Sequence, residues 1–302
     1  MGPIKIILNP IAGRGYGAKT EPGLRSLLEE EGVDFELVRT RGPAHASELA
    51  EQAVRDGFEV IVAAGGDGTT HEVVNGLMRA ADGKEAGTLG VIPIGSGSDF
   101  ANTVGVPADL RGACRRLAHG TVRVVDVGVV RLAGAPARYF DNTVNVGFGG
   151  RVTVEARKIK RLRGIALYLP AVLRTIFLHY QAPRLVIEYD DQELALSSLM
   201  VSVCNGSREG GGFFVAPDAE PDDGLFDLCI VGKVGRLGML GLIPYFMRGT
   251  HIDREPVTMT RANRVRITSP DSLVAHVDGE ILCTDGHEIE FEILPRALRV
   301  WC

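Results

Sequence analysis

Residues 65–71 read Gly-Gly-Asp-Gly-Thr-Thr-His, between the apolar run Val60–Ala64 and the helix-like stretch Glu72–Met78. Glycine has no Cβ, so backbone amides at such a strand-to-helix junction can reach an anion. A helix starting at Thr69 would aim its N–H groups and its dipole at the same point. Thr69 and Glu72 carry the spacing of a capping box, which fits that helix start. Asp67 is out of place against phosphate, because a bare carboxylate repels it. Its role is then toward a divalent cation, a cation-bound water or a hydroxyl. The plain alternative is an ordinary capped βα turn. An aspartate set between Gly66 and Gly68 favours nucleotide or phosphate binding. The contacts would be Gly65, Gly66, Asp67, Gly68, Thr69, Thr70 and His71, unless His71 faces solvent from the first helical turn.

The stretch Pro93-Ile94-Gly95-Ser96-Gly97-Ser98-Asp99 repeats this logic after another strand. Gly95 permits close approach, Ser96 offers a hydroxyl to a phosphate oxygen, and Ser98 or Asp99 can cap the helix that follows. Later in the chain, Asp222-Asp223-Gly224 is by default a tight turn, although clustered carboxylates also suit a hard cation such as magnesium. Asp278-Gly279-Glu280 fits a hairpin connection and also brings two carboxylates together. Arg151, Arg157, Lys158, Lys160, Arg161 and Arg163 share a short stretch with one acid, Glu155, and apolar segments follow at 165–178 and 237–247. A solvated helix face beside a core helix is one account. The other is a basic rim and apolar groove that meet anionic lipid and accept acyl chains.

Other chemistries lack their spacing. There is no GxxxxGK[ST] loop and no G-x-S-x-G elbow. Gly13-Arg14-Gly15-Tyr16-Gly17 is glycine-rich, but the second strand ends Val38-Arg39-Thr40-Arg41 without an acid for a ribose hydroxyl. The five cysteines show no ligand spacing and suit a reduced, cytoplasmic protein. A net charge of −5 argues against nucleic-acid binding.

These residues need elements to hold them. The chain of 302 residues is long enough for two cores, and 45% hydrophobic with 24% charged residues is ordinary for a globular protein. Ile4–Leu8 follows the N-terminus without the pattern of a signal peptide, and no apolar stretch is long enough to span a bilayer, Pro170 interrupting the longest. Strand-like runs at 4–8, 33–38, 58–63 and 88–92 alternate with helical periodicity at 19–31, 45–56 and 69–80. That alternation predicts an α/β domain with a parallel sheet and ligands at the carboxyl ends of its strands. From about Val122, short strands dominate: 122–131, 138–146, 184–190, 193–204, 225–231, 264–268, 274–277 and 288–293, with helical patches at 150–179 and 235–247. This half predicts an all-β, sandwich-like domain.

Gly65–Thr69 resembles the nucleotide loop of diacylglycerol kinases, sphingosine and ceramide kinases, NAD kinases and phosphofructokinases. Together with Asn9-Pro10-Ile11-Ala12-Gly13, Pro93–Ala101, Asp222–Asp227 and Asp278–Glu280, in this order, it resembles the diacylglycerol kinase catalytic fold of bacterial lipid kinases. The resemblance implies ATP bound by residues 1–125 and a lipid- and metal-handling domain at 126–295. A last strand at about 296–302 returns to the first domain, and the active site lies in the cleft between them. It implies nucleotide contacts from Asn9 and Thr40 besides the two glycine loops. It implies a structural magnesium on the Asp223 side chain and the backbone of Glu220 and Leu225. Asp278 would be the general base with Glu280 beside it, and Asp67 would join them in catalysis. The family usually has threonine where Ser96 stands and asparagine where Ser98 stands, which leaves the second of these contacts open.

The reading is therefore an ATP- and magnesium-dependent lipid kinase acting on the primary hydroxyl of a diacylglycerol-like or sphingoid lipid. It would be cytoplasmic and peripherally attached to anionic membrane, with a homodimer left open. NAD kinase, a sugar kinase, and a non-catalytic lipid- or nucleotide-binding protein are the alternatives.

Overall fold

A computed structural model of the chain describes residues 2–81, 87–95, 97–159, 162 and 164–302. The chain divides into two compact units, Met1–Val127 with Pro295–Cys302, and Gly128–Leu294.

The first unit begins β1 (Ile4–Leu8), α1 (Ala12–Glu30), β2 (Phe35–Arg39), α2 (His45–Arg55), β3 (Val60–Gly65), α3 (Asp67–Ala81) and β4 (Thr88–Pro93). It continues with α4 (Asp99–Thr103), α5 (Leu110–His119) and the start of β5 (Val122–Leu132). β1 pairs in parallel with β2 and β3, and β3 in parallel with β4. β3 is buried at every position, as a strand covered on both faces must be. α1 reaches further back than its periodicity suggests, but Gly13, Arg14 and Gly15 within it are left-handed, so the regular helix starts after them. α2 buries Ala46, Ser47, Ala50 and Ala53. These small residues let α3 approach so closely that a Cβ at Gly76 would strike the Ser47 carbonyl.

The second unit holds the rest of β5, then β6 (Arg138–Phe140), β7 (Thr143–Gly147), α6 (Phe148–Ala156), α7 (Ile165–Leu178), β8 (Arg184–Tyr189) and β9 (Gln192–Cys204). After these come β10 (Arg208–Glu209), β11 (Phe213–Phe214), β12 (Phe226–Gly232), α8 (Arg236–Arg248), β13 (Val257–Ala262), β14 (Arg264–Val277) and β15 (Glu280–Trp301). Its pairings are antiparallel. Two long strands change partners along their length. β9 pairs first with β8 and then with β7 and β12, and β14 pairs first with β8 and then with β7. Val144, Val146, Val201, Val203, Leu228 and Ile230 fill the core between them. A second cluster lies under α6, α7 and α8 and includes Val152, Val172, Ile176 and Met239.

Two expectations about elements are corrected. Residues 264–268 and 274–277 belong to one strand, with a register shift between Thr268 and Leu273. Pro270 falls within the shift, where its missing N–H breaks the ladder without ending the strand. The run at 288–293 is the middle of a 22-residue strand that leaves the second unit and ends beside β4, Arg299–Trp301 pairing in parallel with Thr88–Gly90. Pro170 lies inside α7, which falls within the expected helical patch and runs on to Leu178. No described helix is long and apolar enough to cross a membrane.

Candidate active site

In the first unit the expected nucleotide residues gather at the carboxyl ends of neighbouring strands. Asn9 follows β1, and its amide Nδ2 donates to Thr69 Oγ1 at 3.0 Å. Asn9 Oδ1 accepts the Ile11 N–H at 3.1 Å, which fixes the amide's orientation. Gly65 closes β3, and a Cβ there would collide with the Thr69 side chain. Its carbonyl accepts the N–H groups of Ile94 and Gly95 at 2.7 and 3.0 Å, joining the two glycine loops. Thr40 follows β2, buried, with its N–H on the Leu8 carbonyl at 2.9 Å. Ser96 lies outside the described residues.

The local geometry departs from the sequence reading at four points. α3 starts at Asp67, so Thr69 and Thr70 lie inside its first turn and donate their N–H groups to the Gly66 carbonyl at 2.8 and 3.0 Å. They are not open amides. The capping box does not form, because Glu72 turns to the neighbouring helix and accepts the N–H groups of Ala44 and Ala46 at 2.8 and 3.0 Å. It caps α2, whose own N-cap residue Ala44 has no side chain to do so. His71 is buried rather than turned to solvent, with Asn75 Nδ2 3.4 Å from its Nε2. Neither Ser98 nor Asp99 caps α4. The Asp67 carboxylate does this across the loops, accepting the N–H groups of Ser98 at 2.8 Å and Phe100 at 3.4 Å.

In the second unit Asp278 and Gly279 form the left-handed turn between β14 and β15, with φ of 46° and 81°. The Asp278 side chain is buried in a cradle of backbone. Oδ1 accepts from Asn142 at 3.2 Å and Thr143 at 2.9 Å, and Oδ2 from Asp141 at 3.3 Å. Glu280 is half-buried and pairs with Arg157 at 2.5 Å. Burial lowers the Arg138 pKa, against which the nearby Glu280 and Asp278 carboxylates push it up. Two guanidiniums thus face this acidic turn.

Asp223 sits before β12. Its Oδ1 accepts the Leu225 N–H at 3.0 Å, and its Oδ2 lies 3.2 Å from Arg261, which also pairs with Asp227 at 3.1 Å. Asp227 Oδ2 is buried without a hydrogen-bond partner among the described residues, and burial raises its pKa despite the bond to Arg261. No described group of three or more His, Cys, Asp or Glu side chains has metal-holding geometry.

The second unit also holds an apolar cavity that the sequence does not announce residue by residue. Its volume is about 110 Å³, and it is walled by Phe148, Val152, Val172, Met239, Ile243 and Phe246, with Asn145 and Glu209 among its few polar groups. The apolar segments of α7 and α8 announce its walls. Nothing in the spacing announces Asn145, Glu209 or His276, which come together from β7, β10 and β14.

Residues 3–130 match the family model described as the diacylglycerol kinase catalytic domain, and residues 142–302 match the YegS C-terminal NAD kinase beta sandwich-like domain. A diacylglycerol kinase of Bacillus subtilis is 32% identical over 91% of this chain and 89% of its own. The chain belongs to the bacterial-type diacylglycerol kinase catalytic family. A diacylglycerol kinase of Mycobacterium tuberculosis is 29% identical over 99% of this chain and 95% of its own. Among solved structures, a diacylglycerol kinase from Bacillus anthracis superposes with a TM-score of 0.75 at 22% identity, covering 99% of this chain and 96% of that one. Yeast NADH kinase complexed with NADH shares the fold more distantly, at a TM-score of 0.55 and 10% identity over 99% and 82% of the two chains.

Proposed function

We propose that this diacylglycerol kinase family member is an ATP- and magnesium-dependent lipid kinase that phosphorylates the primary hydroxyl of a diacylglycerol-like or sphingoid lipid. The observation that carries the lipid reading is the apolar cavity of the second unit. An acyl chain needs such a lining, whereas a sugar or a dinucleotide does not. The same helices carry apolar side chains outward: Leu173, Phe177 and Leu178 on α7, and Leu237 and Met247 on α8, beside exposed Arg174, Arg236 and Arg248. Apolar and cationic groups side by side suit peripheral contact with an anionic bilayer.

In this reading ATP phosphates meet the loops at 65–71 and 95–96, with Asn9 and Thr40 at their flanks. Asp67 positions the second loop through Ser98 and Phe100. Phosphoryl transfer is loose, so orientation and charge compensation supply most of the catalysis. Asp278 accepts the lipid hydroxyl's proton, and Arg138 and Arg157 hold the charge of the turn, the latter through Glu280. The Asp223 carboxylate and the carbonyls of Glu220 and Leu225 would hold a structural magnesium. Two carboxylates share one guanidinium there, and the buried Asp227 Oδ2 has no hydrogen-bond partner among the described residues, which fits a further cation. That ion would supply rigidity to the turn.

The test is purified protein with labelled ATP, magnesium and separate diacylglycerol, sphingoid-base and NAD⁺ acceptors, the labelled product being identified. Transfer to a lipid alcohol is expected; transfer to NAD⁺ alone would overturn the reading.

A further inference from the structure

One carboxylate stands in the wall of the apolar cavity. Glu209 belongs to β10, and its side chain is one-fifth exposed, whereas that of its partner His276 is 1% exposed. His276 Nε2 lies 2.7 Å from Glu209 Oε1, and His276 Nδ1 accepts the Gly279 N–H at 3.3 Å. The acceptor role of Nδ1 places the imidazole proton on Nε2, where it is donated to Glu209. Asn145 Nδ2 donates to Glu209 Oε2 at 3.3 Å and to Ser202 Oγ at 2.6 Å, while its Oδ1 takes the Gly149 N–H at 3.1 Å. Glu209 is therefore gripped at both oxygens. Among the described residues its ion-pair partner is His276, and no lysine or arginine pairs with it.

Each carboxylate oxygen offers two acceptor directions, so two held oxygens still have capacity toward the cavity. What enters determines whether that capacity is used. An alkyl head leaves a desolvated carboxylate without a new partner. A carboxylate or phosphate head sets like charges a few ångströms apart in apolar surroundings. A hydroxyl head donates a hydrogen bond and replaces the lost water.

We propose that Glu209, positioned by His276 and Asn145, is the specificity residue of this cavity: it accepts a hydrogen bond from an uncharged long-chain alcohol and rejects the same chain bearing an anionic head. The inference rests on the reading that the cavity holds the acceptor lipid, and adds the residue that separates a lipid alcohol from a fatty acid. Through His276 the selecting carboxylate is also tied to Gly279, in the turn that carries Asp278 and Glu280.

The test is equilibrium binding of monodecanoylglycerol and of decanoate, each below its micelle concentration, measured by displacement of a fluorescent acyl probe from the full chain. Wild type should prefer the alcohol, and Glu209→Gln, which keeps the shape without the charge, should shrink the ratio of the two Kd values by about tenfold. Met239→Trp, which fills the cavity from α8, should weaken both ligands together. An unchanged ratio in folded Glu209→Gln overturns the inference, as does undiminished binding of both ligands in folded Met239→Trp. A parallel assay of phosphate transfer to diacylglycerol separates the two claims. Transfer with an unchanged ratio rejects the role of Glu209 alone, and a changed ratio without transfer rejects the kinase reading alone.

Discussion

Asp67 accepts the Ser98 N–H at 2.8 Å, so the carboxylate of the first glycine loop is the helix cap of the second. The residue that looks most like a metal ligand in the sequence is, in the fold, a brace between two glycine loops. Asp67→Ala should cost about 1 kcal/mol, the usual loss of a cap, and lower the melting temperature by a few degrees. Turnover should fall further than stability, because the loop at 95–100 loses its anchor. Calorimetry and kinetics on the same preparation check both, and normal turnover would remove Asp67 from the working site.

Gly65→Ala should act through Thr69. The added methyl collides with that side chain, and Thr69 Oγ1 is the acceptor for Asn9. ATP affinity should drop at least tenfold, while binding of an acyl probe by the second unit stays within twofold. A nucleotide titration beside a lipid titration reads the split.

Asp278→Asn is not a silent isostere here. Both oxygens of Asp278 accept backbone N–H groups, so an amide NH₂ would face a donor at Asp141 or at Asn142 and Thr143. The variant should lose about 1–3 kcal/mol of stability. Per folded molecule, kcat should still fall by about 10²–10⁴ if Asp278 takes the proton, with ATP affinity kept. Equal kcat per folded molecule would leave Asp278 as an anchor. Glu280→Gln, at a half-exposed position on the turn, should change stability by less than about 1 kcal/mol.

Glu155 should give the second unit an acid-sensitive point. Its bond from Lys158 and then that from Arg174 hold the buried carboxyl below the ordinary glutamate value of 4.5, against desolvation, with His179 assisting. A depressed folded pKa contributes stability that is complete above about pH 4.5 and is lost as pH falls through the folded value. Glu155→Gln should therefore be less stable than wild type at pH 7, and the gap should narrow below pH 4.5. Urea midpoints measured from pH 7 to pH 3.5 test the sign.

Magnesium should raise the melting temperature of wild type and leave that of Asp223→Ala unchanged, if the acidic turn binds the ion. Calcium and sodium chloride at matched ionic strength are the controls. An equal rise in both proteins would mean that the turn is closed by Arg261 alone.

Much of this molecule could be read from residues alone, and the failures share a cause. Strand runs and glycine loops are local, so the elements carrying Asn9, Gly65 and Gly95 were legible within a few positions. The partner of a side chain is not local. Glu72 has the right spacing from Thr69 to cap its own helix, yet it caps α2 because Ala44 leaves donors there unmet. Asp67 is drawn to Ser98 in the same way. His276 shows no periodic or ligand spacing with Glu209, because the two lie on strands of different sheets, β14 and β10, that meet only through their side chains. Residues 264–268 and 274–277 read as two strands for the same reason, because the register shift at Pro270 that joins them is set by partner strands.

The passage of β15 out of the second unit and alongside β4 bears on how the chain is made. Arg299–Trp301 complete the ladder of β4, and Thr121 and Cys302 exchange both backbone hydrogen bonds at 2.8 and 2.9 Å. During synthesis the first unit emerges early but must wait, with an unpaired strand edge, until every residue of the second has left the ribosome. Such an edge is a template for association with other chains. A fragment ending at Val127 should be aggregation-prone for that reason. A fragment in which residues 295–302 are joined on by a short flexible linker should be monomeric.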